Sequence, residues 1–313
     1  MVQPDHERSL RTGNVHAQPQ LGLVCITAGP AVRFRTITRT RFLALSVRDR
    51  EARLRELYTE NLERLFHALA FCHARGIRLY RATSQLFPMN DDPVGTATLE
   101  SMRTSLAAFG VQAAQLGIRV VLHPEQFVVL NSLSARVVSQ SIAYMEQHGR
   151  IFDLLGLPRS TWSAIMIHGG KSERGKALAQ SIQSLPESVH ARLALENDES
   201  AYSASEILEI CHAAGVPMVF DAHHHLVHEQ LKSYDHPSVG AMTQAARDTW
   251  PAPAWQIVHI SNGRRFFADA RHSDLVTQMP RAFRTVPWIE VEAKGKERAI
   301  ELLRSNWLNK KAE

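Results

Sequence analysis

The chain has 313 residues, 44% of them hydrophobic, so it can bury a large core and is not expected to be disordered. No stretch approaches the roughly 18 consecutive apolar residues of a membrane span, and the polar N-terminal segment lacks the apolar centre of a signal sequence. We therefore expect a cytoplasmic protein. The net charge of +5 favours a polyanionic partner. The three cysteines lie in separate apolar segments, which argues against a disulfide framework.

Short apolar runs alternate with segments of helical spacing after a polar stretch, 1–19, that we expect to be a flexible tail. The runs are rich in β-branched residues and predict strands. Several of the helical segments end in Gly just before the next run, as turns from helix to strand commonly do. The predicted strands lie at 21–27, 77–83, 118–124, 163–169, 192–197, 217–222, 255–261 and 287–292.

Eight strands that alternate with helices predict a parallel sheet closed into a (β/α)₈ TIM barrel. A doubly wound open sheet is the alternative. The alternation contains no linker, so we predict a single domain at 20–306, followed by a short tail at 307–313. No glycine-rich phosphate loop is present.

Imidazole or carboxylate side chains stand at the ends of six of the eight predicted strands. The C-terminal rim of a TIM barrel is where active sites are assembled, so these residues are expected to converge. Clustered carboxylates repel one another, and a bound divalent cation removes that penalty. Oxygen and nitrogen ligands without thiolate suit Mn²⁺, Zn²⁺, Fe²⁺ or Mg²⁺. The strand-end residues are His123, His168, Glu196, Asp221 with His224, His259 and Glu292.

The string FDAHHH, 220–225, contains three consecutive histidines. Asp221 and His224 lie within one turn of chain and can share an ion. His223 and His225 compete for that role, and they can equally be exposed loop residues or donors that orient the ligands. His272, in RHSDLV, is a further candidate from the loop after the seventh strand.

Several strings resemble the ultraviolet damage endonuclease family, UvdE. They are HPEQFVVLNS (123–132), IHGGK (167–171), LEND (195–198), FDAHHH (220–225), HIS (259–261) and EVEAKGKERAI (290–300). The resemblance runs from about residue 21 to 305. It implies a TIM-barrel, metal-dependent endonuclease, related in architecture to endonuclease IV, that nicks damaged double-stranded DNA on the 5′ side of the lesion.

The resemblance also implies a metal cluster, with Mn²⁺ expected and Mg²⁺ or Zn²⁺ as alternatives. Its ligands match the residues at the strand ends, and His272 becomes the eighth ligand. Within this set the residues expected to carry the reaction are Glu196, Glu292, His123 and His259.

The sequence departs from the family pattern at four positions. Leu23 and Thr27 stand where the family has first-strand residues that help to probe the damaged strand. Asp91 or Asp92 takes the place of a family His, and an aspartate can still bind a metal. Ile257 replaces a Lys that can be modified to serve the metal site, and an isoleucine cannot bind a metal at all.

The DNA contacts implied by the resemblance lie in the rim loops. Gln126 and Phe127 stand where the family has a polar and an aromatic residue that wedge into the duplex, with core packing as the alternative for Phe127. Basic side chains are expected to hold the phosphate backbone, with ordinary solvated charge as the alternative. They are Lys171, Lys294, the group Arg33, Arg35, Arg39 and Arg41 after the first strand, and the pair Arg264 and Arg265 after the seventh strand.

Two other functions remain open at this point. One is a sugar isomerase or epimerase, which uses the same barrel and a similar metal site on a small polyol in a deep, closed pocket. The other is a DNA-binding relative that has lost catalysis, which the Ile257 substitution makes credible. We expect a monomer, because one barrel mouth can accept an asymmetric duplex.

Overall fold

The computed structural model describes residues 18–125 and 127–309. Its centre is a closed barrel of eight parallel strands, arranged in the order in which they occur along the chain. This topology confirms the predicted TIM barrel and excludes the doubly wound open sheet. The strands are β1 Gln20–Val24, β2 Leu79–Ala82, β3 Arg119–Leu122, β4 Ile165–His168, β5 Leu193–Glu196, β6 Met218–Asp221, β7 Ile257–Ile260 and β8 Trp288–Val291.

All eight predicted runs contain a strand, but seven of the strands have four residues and β1 has five. The strands are shorter than the apolar runs because backbone hydrogen bonds between strands form only where adjacent strands run alongside each other. Beyond that point the chain turns into the loops of the rim. His123 and Glu292 therefore come directly after β3 and β8, while His168, Glu196 and Asp221 end their strands.

Helices surround the barrel between successive strands, except that the fully described connection from β7 to β8 has a 3₁₀ turn, Arg281–Thr285, in place of an α-helix. The predicted Gly at the end of a helical segment is confirmed at Gly215, which closes the helix after β5 with a positive φ of 70°. Ser203 and Glu206 form a capping box at the start of the same helix. The helices are α1 Arg39–Leu43, α2 Val47–Ala74, α3 Pro93–Ser101, α4 Arg103–Gln115, α5 Ala135–Leu154, α6 Gly175–Gln183, α7 Glu187–His190, α8 Ala204–Ala214, α9 Ala222–His228, α10 Pro237–Asp248 and α11 Glu297–Leu303.

The barrel interior has an apolar layer directly below a polar layer. Alternate residues of a strand face the same side, so a residue two positions before an inward-facing one also faces inward. The apolar layer is formed by Leu79, Val121, Met166, Ala194, Val219, Ile257 and Trp288. The residues two positions later form the polar layer: Arg81, His123, His168, Glu196, Asp221, His259 and Glu290.

A buried arginine closes the floor of the barrel. Arg119 is 0% exposed and donates hydrogen bonds to the backbone carbonyls of Trp162 at 2.7 Å and Trp255 at 2.8 Å. Its guanidinium carbon lies 4.7 Å from the ring centroid of Trp162 and 5.4 Å from that of Trp288. These cation–π contacts offset part of the desolvation that lowers the pKa of Arg119 to about 9.

The chain continues beyond α11 as a single π-helical turn, Arg304–Leu308. Trp307 and Leu308 pack against the main core. Across the described ranges, no helix is long and apolar enough to cross a bilayer.

Candidate active site

Glu196, the last residue of β5, lies at the centre of the polar layer and is 1% exposed. Its Oε2 atom is 2.9 Å from His123 Nε2 and 3.9 Å from His168 Nε2. Its Oε1 atom is 3.0 Å from His259 Nδ1 and 3.5 Å from His224 Nδ1. One carboxylate therefore has imidazoles around it from β7, from the residue after β3, from the end of β4 and from α9.

Glu292 extends this cluster from the residue directly after β8. Its Oε1 atom is 3.4 Å from His259 Nδ1, and its Oε2 atom is 3.7 Å from His272 Nδ1. The ring centroid of His272 is also 6.1 Å from that of His224. The loop after β7 thus brings His272 to the same end of the barrel as the strand-end residues.

Asp221 and His224 lie together, as their spacing predicts. Asp221 is the N-cap of α9, and its Oδ1 atom accepts from the backbone N–H groups of His223 at 2.6 Å and His224 at 2.7 Å. Its Oδ2 atom has no hydrogen-bond partner among the described residues. With this pair, all eight residues of the expected ligand set are found at one end of the barrel.

The two histidines on either side of His224 face other parts of the fold. Successive residues of an α-helix are rotated by about 100°, so three neighbours point in three directions. His223 Nδ1 is 2.7 Å from the hydroxyl of Tyr234, and His225 Nε2 is 2.9 Å from Ser238 Oγ. All three histidine rings are buried, so the alternative of exposed loop residues is wrong.

The site contains three groups of side chains whose ligand atoms lie within 4.8 Å of one another, and Glu196 belongs to each. The groups are His123, His168 and Glu196; Glu196, Asp221 and His224; and Glu196, His259 and Glu292. Buried polar atoms normally have hydrogen-bond partners, yet Asp221 Oδ2 has none in the described part of the chain, and Glu196 Oε1 makes no well-aligned hydrogen bond although His259 Nδ1 lies 3.0 Å away. A cation satisfies such atoms, so the donor set fits a metal ion.

The carboxylates create a strongly negative field at the site. Burial alone lowers the pKa of His224, but Asp221 and Glu196 outweigh burial and raise it to about 9. Burial also lowers the pKa of His259, while Glu196 and Glu290 raise it well above its ordinary value. A field that holds protons this firmly also attracts divalent cations.

Two interior residues of the site were not anticipated from the sequence. Arg81 Nη1 lies 3.0 Å from Glu290 Oε2 and 2.5 Å from Glu292 Oε1. Glu290 Oε2 is also 2.7 Å from His259 Nε2. The period of two along a strand carries the signal for both, since Glu290 precedes Glu292 by two residues and Arg81 follows the inward-facing Leu79 by two.

Three of the positions that depart from the family pattern serve packing and loop structure. Ile257 belongs to the apolar layer below His259 and is 0% exposed. Leu23 is equally buried in the main core. Thr27 is 1% exposed, and its hydroxyl accepts a hydrogen bond from the backbone N–H of Val32 at 3.0 Å.

Asp91 and Asp92, which replace a family His, make contacts away from the cluster. The side chain of Asp92 caps α3 by accepting from the backbone N–H of Val94 at 2.9 Å. Asp91 forms an ion pair with Arg39 on the rim. Neither residue joins a potential metal-holding group within residues 18–125 and 127–309.

Phe127 stands out from the rim and is 60% exposed, so the core-packing alternative is wrong. Its ring centroid lies 4.7 Å from that of Tyr144. Both rings border a groove of about 910 Å³, which is also lined by Arg39 and Asp91. Gln126, the other expected wedge residue, lies outside the described residues.

Of the expected phosphate-binding residues, Arg33 has a structural role. Its guanidinium donates to the carbonyl of Thr27, to that of Val32 at 2.8 Å and to that of Ala28 at 3.1 Å, so it shapes the loop after β1. The other basic residues have exposed side chains, but Arg39 and Arg41 lie in α1 rather than in the predicted rim loop. These exposed residues are Arg35, Arg39, Arg41, Lys171, Arg264, Arg265 and Lys294.

Comparison with known proteins bears on the identity of this barrel. The family described as UV-endonuclease UvdE matches residues 19–310, almost the entire chain. The chain belongs to the UvdE family. Among curated relatives, it is 57% identical over 295 residues to a UV DNA damage endonuclease of Nostoc sp., covering 94% of this chain and 92% of that protein.

A second curated relative agrees with this assignment, and a solved structure shares the fold. The chain is 50% identical over 296 residues to a UV DNA damage endonuclease of Deinococcus radiodurans, covering 94% of this chain and 97% of that protein. The crystal structure of SacUVDE has the same fold, with a TM-score of 0.76 at 23% identity over 92% of this chain and 98% of that one. The family resemblance of the short strings is therefore confirmed.

Proposed function

We propose that this protein is a metal-dependent endonuclease that nicks duplex DNA on the 5′ side of a UV-damaged site. The observation that carries the proposal is the convergence of eight His, Asp and Glu side chains, with Glu196 at their centre, at one end of the barrel in a member of the UvdE family. Relatives that are 57% and 50% identical bear the name UV DNA damage endonuclease, which supports damaged DNA as the substrate.

The metal ligands that we propose are the carboxylates and imidazoles of the cluster, with Mn²⁺ as the first choice and Mg²⁺ or Zn²⁺ as alternatives. These side chains would hold the ion, and the chemistry supplied there would be polarisation of phosphate oxygens and a lowered pKa of an attacking water. Glu196 is common to the three groups, so its carboxylate would contribute a ligand whichever group held the ion. The full ligand set is His123, His168, Glu196, Asp221, His224, His259, His272 and Glu292.

The interior of the barrel orients these side chains before substrate arrives. Arg81 holds Glu292 by its Oε1 atom, and Glu290 lies against His259 Nε2, which leaves His259 Nδ1 facing Glu196. His123 Nδ1 is 2.9 Å from the carbonyl of the following proline, so its Nε2 atom faces the cluster. Such fixed orientation avoids reorganisation during the reaction.

Four residues are proposed to act at the scissile phosphate. Glu196 and Glu292 supply the charges that position the reacting group. His123 lies against Glu196, and His259 lies against Glu292. The surrounding rim is proposed to hold the duplex, with Phe127 and Gln126 at the lesion and exposed basic residues on the phosphates. The proposed phosphate contacts are Arg35, Arg39, Arg41, Lys171, Arg264 and Arg265.

The decisive experiment is nicking of a duplex that carries one defined photoproduct, assayed with Mn²⁺, then after chelation, then after Mn²⁺ is restored. We expect a single nick 5′ to the lesion, lost on chelation and recovered on restoration, while the undamaged duplex of the same sequence stays intact. Activity on a polyol with an uncut damaged duplex would support a sugar isomerase. Purified protein without bound transition metal that still binds DNA would support a non-catalytic relative.

A further inference from the structure

The loop after β7 forms a short hairpin beside the metal-ligand candidates. Gly263 and His272 pair as an antiparallel bridge. The backbone N–H of Arg264 donates to the carbonyl of Arg271 at 2.9 Å, and that of Asp269 donates to the carbonyl of Phe266 at 3.1 Å. Phe266 therefore begins the turn at the tip of a hairpin whose base contains His272.

The hairpin is tied to itself and to the barrel. The Asp269 carboxylate accepts from the backbone N–H groups of Arg265 at 3.2 Å and Arg271 at 3.1 Å. The carbonyl of Asp269 lies 2.9 Å from His223 Nε2, which anchors the tip to α9. A loop held by this many contacts loses little conformational entropy when it binds a ligand.

Two consecutive phenylalanines at the tip have different environments. Phe267 packs against Tyr234, with ring centroids 5.4 Å apart. Phe266 is 63% exposed, and the exposed side chains of Arg264 and Arg265 precede it. A rigid tip that presents one aromatic ring with two cations matches the stacking surface and the phosphate contacts by which proteins bind unpaired nucleic acid.

The position of Phe266 in the barrel relates it to Phe127. Phe127 follows β3 and Phe266 follows β7, and these strands are four apart in either direction around a closed barrel of eight. Both loops also carry a residue of the cluster, His123 in one and His272 in the other. The two exposed rings therefore stand on opposite sides of the same barrel mouth.

We propose that Phe266 is a second stacking residue, which contacts a base of the substrate duplex from the side of the metal cluster opposite Phe127. The inference rests on the proposed function, because it needs DNA at the barrel mouth. Two rings on opposite sides of the cluster can stack on the bases on both sides of an unstacked base-pair step. A single ring can stack on the base of only one side. Arg264 and Arg265 would hold the adjoining phosphates.

The test compares nicking kinetics of the full chain with those of Phe266→Ala, Phe266→Tyr and Val111→Ala. Val111 is a matched control, since it is 56% exposed but lies on α4 outside the barrel mouth. We expect Phe266→Ala to raise KM for the damaged duplex at least about fivefold, the lower limit of what base stacking contributes, with kcat changed less than about twofold. Phe266→Tyr keeps the ring and should retain the wild-type KM.

The dependence of KM on salt separates stacking from charge. Phe266→Ala should leave the slope of log KM against log salt unchanged, because it removes no cation. If Phe266→Ala nicks like Val111→Ala, or if Phe266→Tyr is as defective as Phe266→Ala, the stacking role is wrong and the proposed function stands. If the wild-type chain does not nick the damaged duplex at all, the proposed function fails first.

Discussion

His259 Nε2 lies 2.7 Å from Glu290 Oε2, and both side chains are completely buried inside the barrel. The contact leaves His259 Nδ1 as the atom that faces Glu196 and Glu292, at 3.0 and 3.4 Å. A carboxylate behind a ligating imidazole fixes the orientation of the ring and raises its basicity. Glu290 therefore orients a proposed ligand without belonging to the potential metal-holding groups.

Glu290→Gln should weaken metal binding and nicking about 10- to 100-fold, the range found when such supporting carboxylates are removed. The substitution keeps the shape of the side chain and removes its charge. Metal titration followed by nicking assays measures the effect. Glu209→Gln, on the exposed face of α8, is the matched control, and equal metal affinity in the two variants would contradict the role assigned to Glu290.

Glu196→Gln and Glu292→Gln should each abolish turnover while the barrel stays folded. Glu196 belongs to three ligand groups and Glu292 to one, so Glu196→Gln should also release more metal than Glu292→Gln. Metal content measured on purified protein, beside circular dichroism for the fold, checks both expectations. Wild-type activity and metal content in the Gln variants would show that the cluster is misassigned.

Mn²⁺ should stabilise the folded chain as well as activate it. A ligand that binds only the folded state adds about 2.7 kcal/mol when its free concentration is 100 times its Kd. The thermal midpoint should therefore rise with added Mn²⁺ and return on chelation. In Glu196→Gln the rise should be largely lost, and an undiminished rise in that variant would place the binding elsewhere.

Phe127→Ala and Arg39→Ala should fail in different ways. Removing the exposed ring should lower the preference for damaged over intact duplex, because stacking acts at an opened base. Removing Arg39 should weaken binding to both duplexes alike and reduce the salt slope, because a phosphate contact carries no lesion information. The ion pair with Asp91 is solvent-exposed, and such pairs contribute only about 0–1 kcal/mol, so Arg39 can exchange Asp91 for a phosphate.

Titration of each variant against damaged and intact duplex at two salt concentrations separates these effects. Val111→Ala serves as the control for loss of an exposed apolar side chain. An unchanged damage preference in Phe127→Ala would remove the wedge from the proposed function.

His148, buried in α5, should make the fold sensitive to mild acid. Burial lowers its pKa to about 4, whereas an unfolded histidine titrates near about 6.5. Between these values the unfolded chain binds the proton and the folded chain does not, so stability falls as the pH decreases through this window. The loss from this one group approaches about 3 kcal/mol near pH 4 and vanishes above about pH 6.5.

The comparison of wild type with His148→Leu isolates this contribution, because all other titrating groups are shared. Free energies of unfolding from denaturant titrations at about pH 7 and about pH 4.5 give the difference. The variant should lose less stability than the wild type on acidification. Equal losses would show that His148 is protonated in the folded state.

The barrel was predictable because strands alternate with helices along the chain, and its ligand end was predictable because six of the eight predicted strands end in His, Asp or Glu. Parallel strands in a closed barrel deliver their C-terminal ends to the same rim. That rule brought His123 and Glu292 together although 169 positions separate them in the sequence. The period of two along a strand identifies the remaining interior residues. Glu290 lies two residues before Glu292, and Arg81 lies two residues after the inward-facing Leu79.

Other features depend on geometry that a single sequence does not express. The choice among three consecutive histidines was decided by where α9 begins, at the N-cap Asp221. The role of Arg33 was decided by the path of its own loop, whose carbonyls it binds. Likewise, the exposure of Phe127 depends on a groove formed by loops after β1, β2 and β3.

The tryptophans around Arg119 make the barrel floor an intrinsic optical probe. Four of the five tryptophans in the chain, Trp162, Trp250, Trp255 and Trp288, lie there, at the opposite end from the cluster. Their emission reports whether the floor is intact, since unfolding exposes indoles that the fold keeps 4% exposed at Trp250, Trp255 and Trp288. Fluorescence therefore follows the integrity of the barrel in every variant above, separately from events at the mouth.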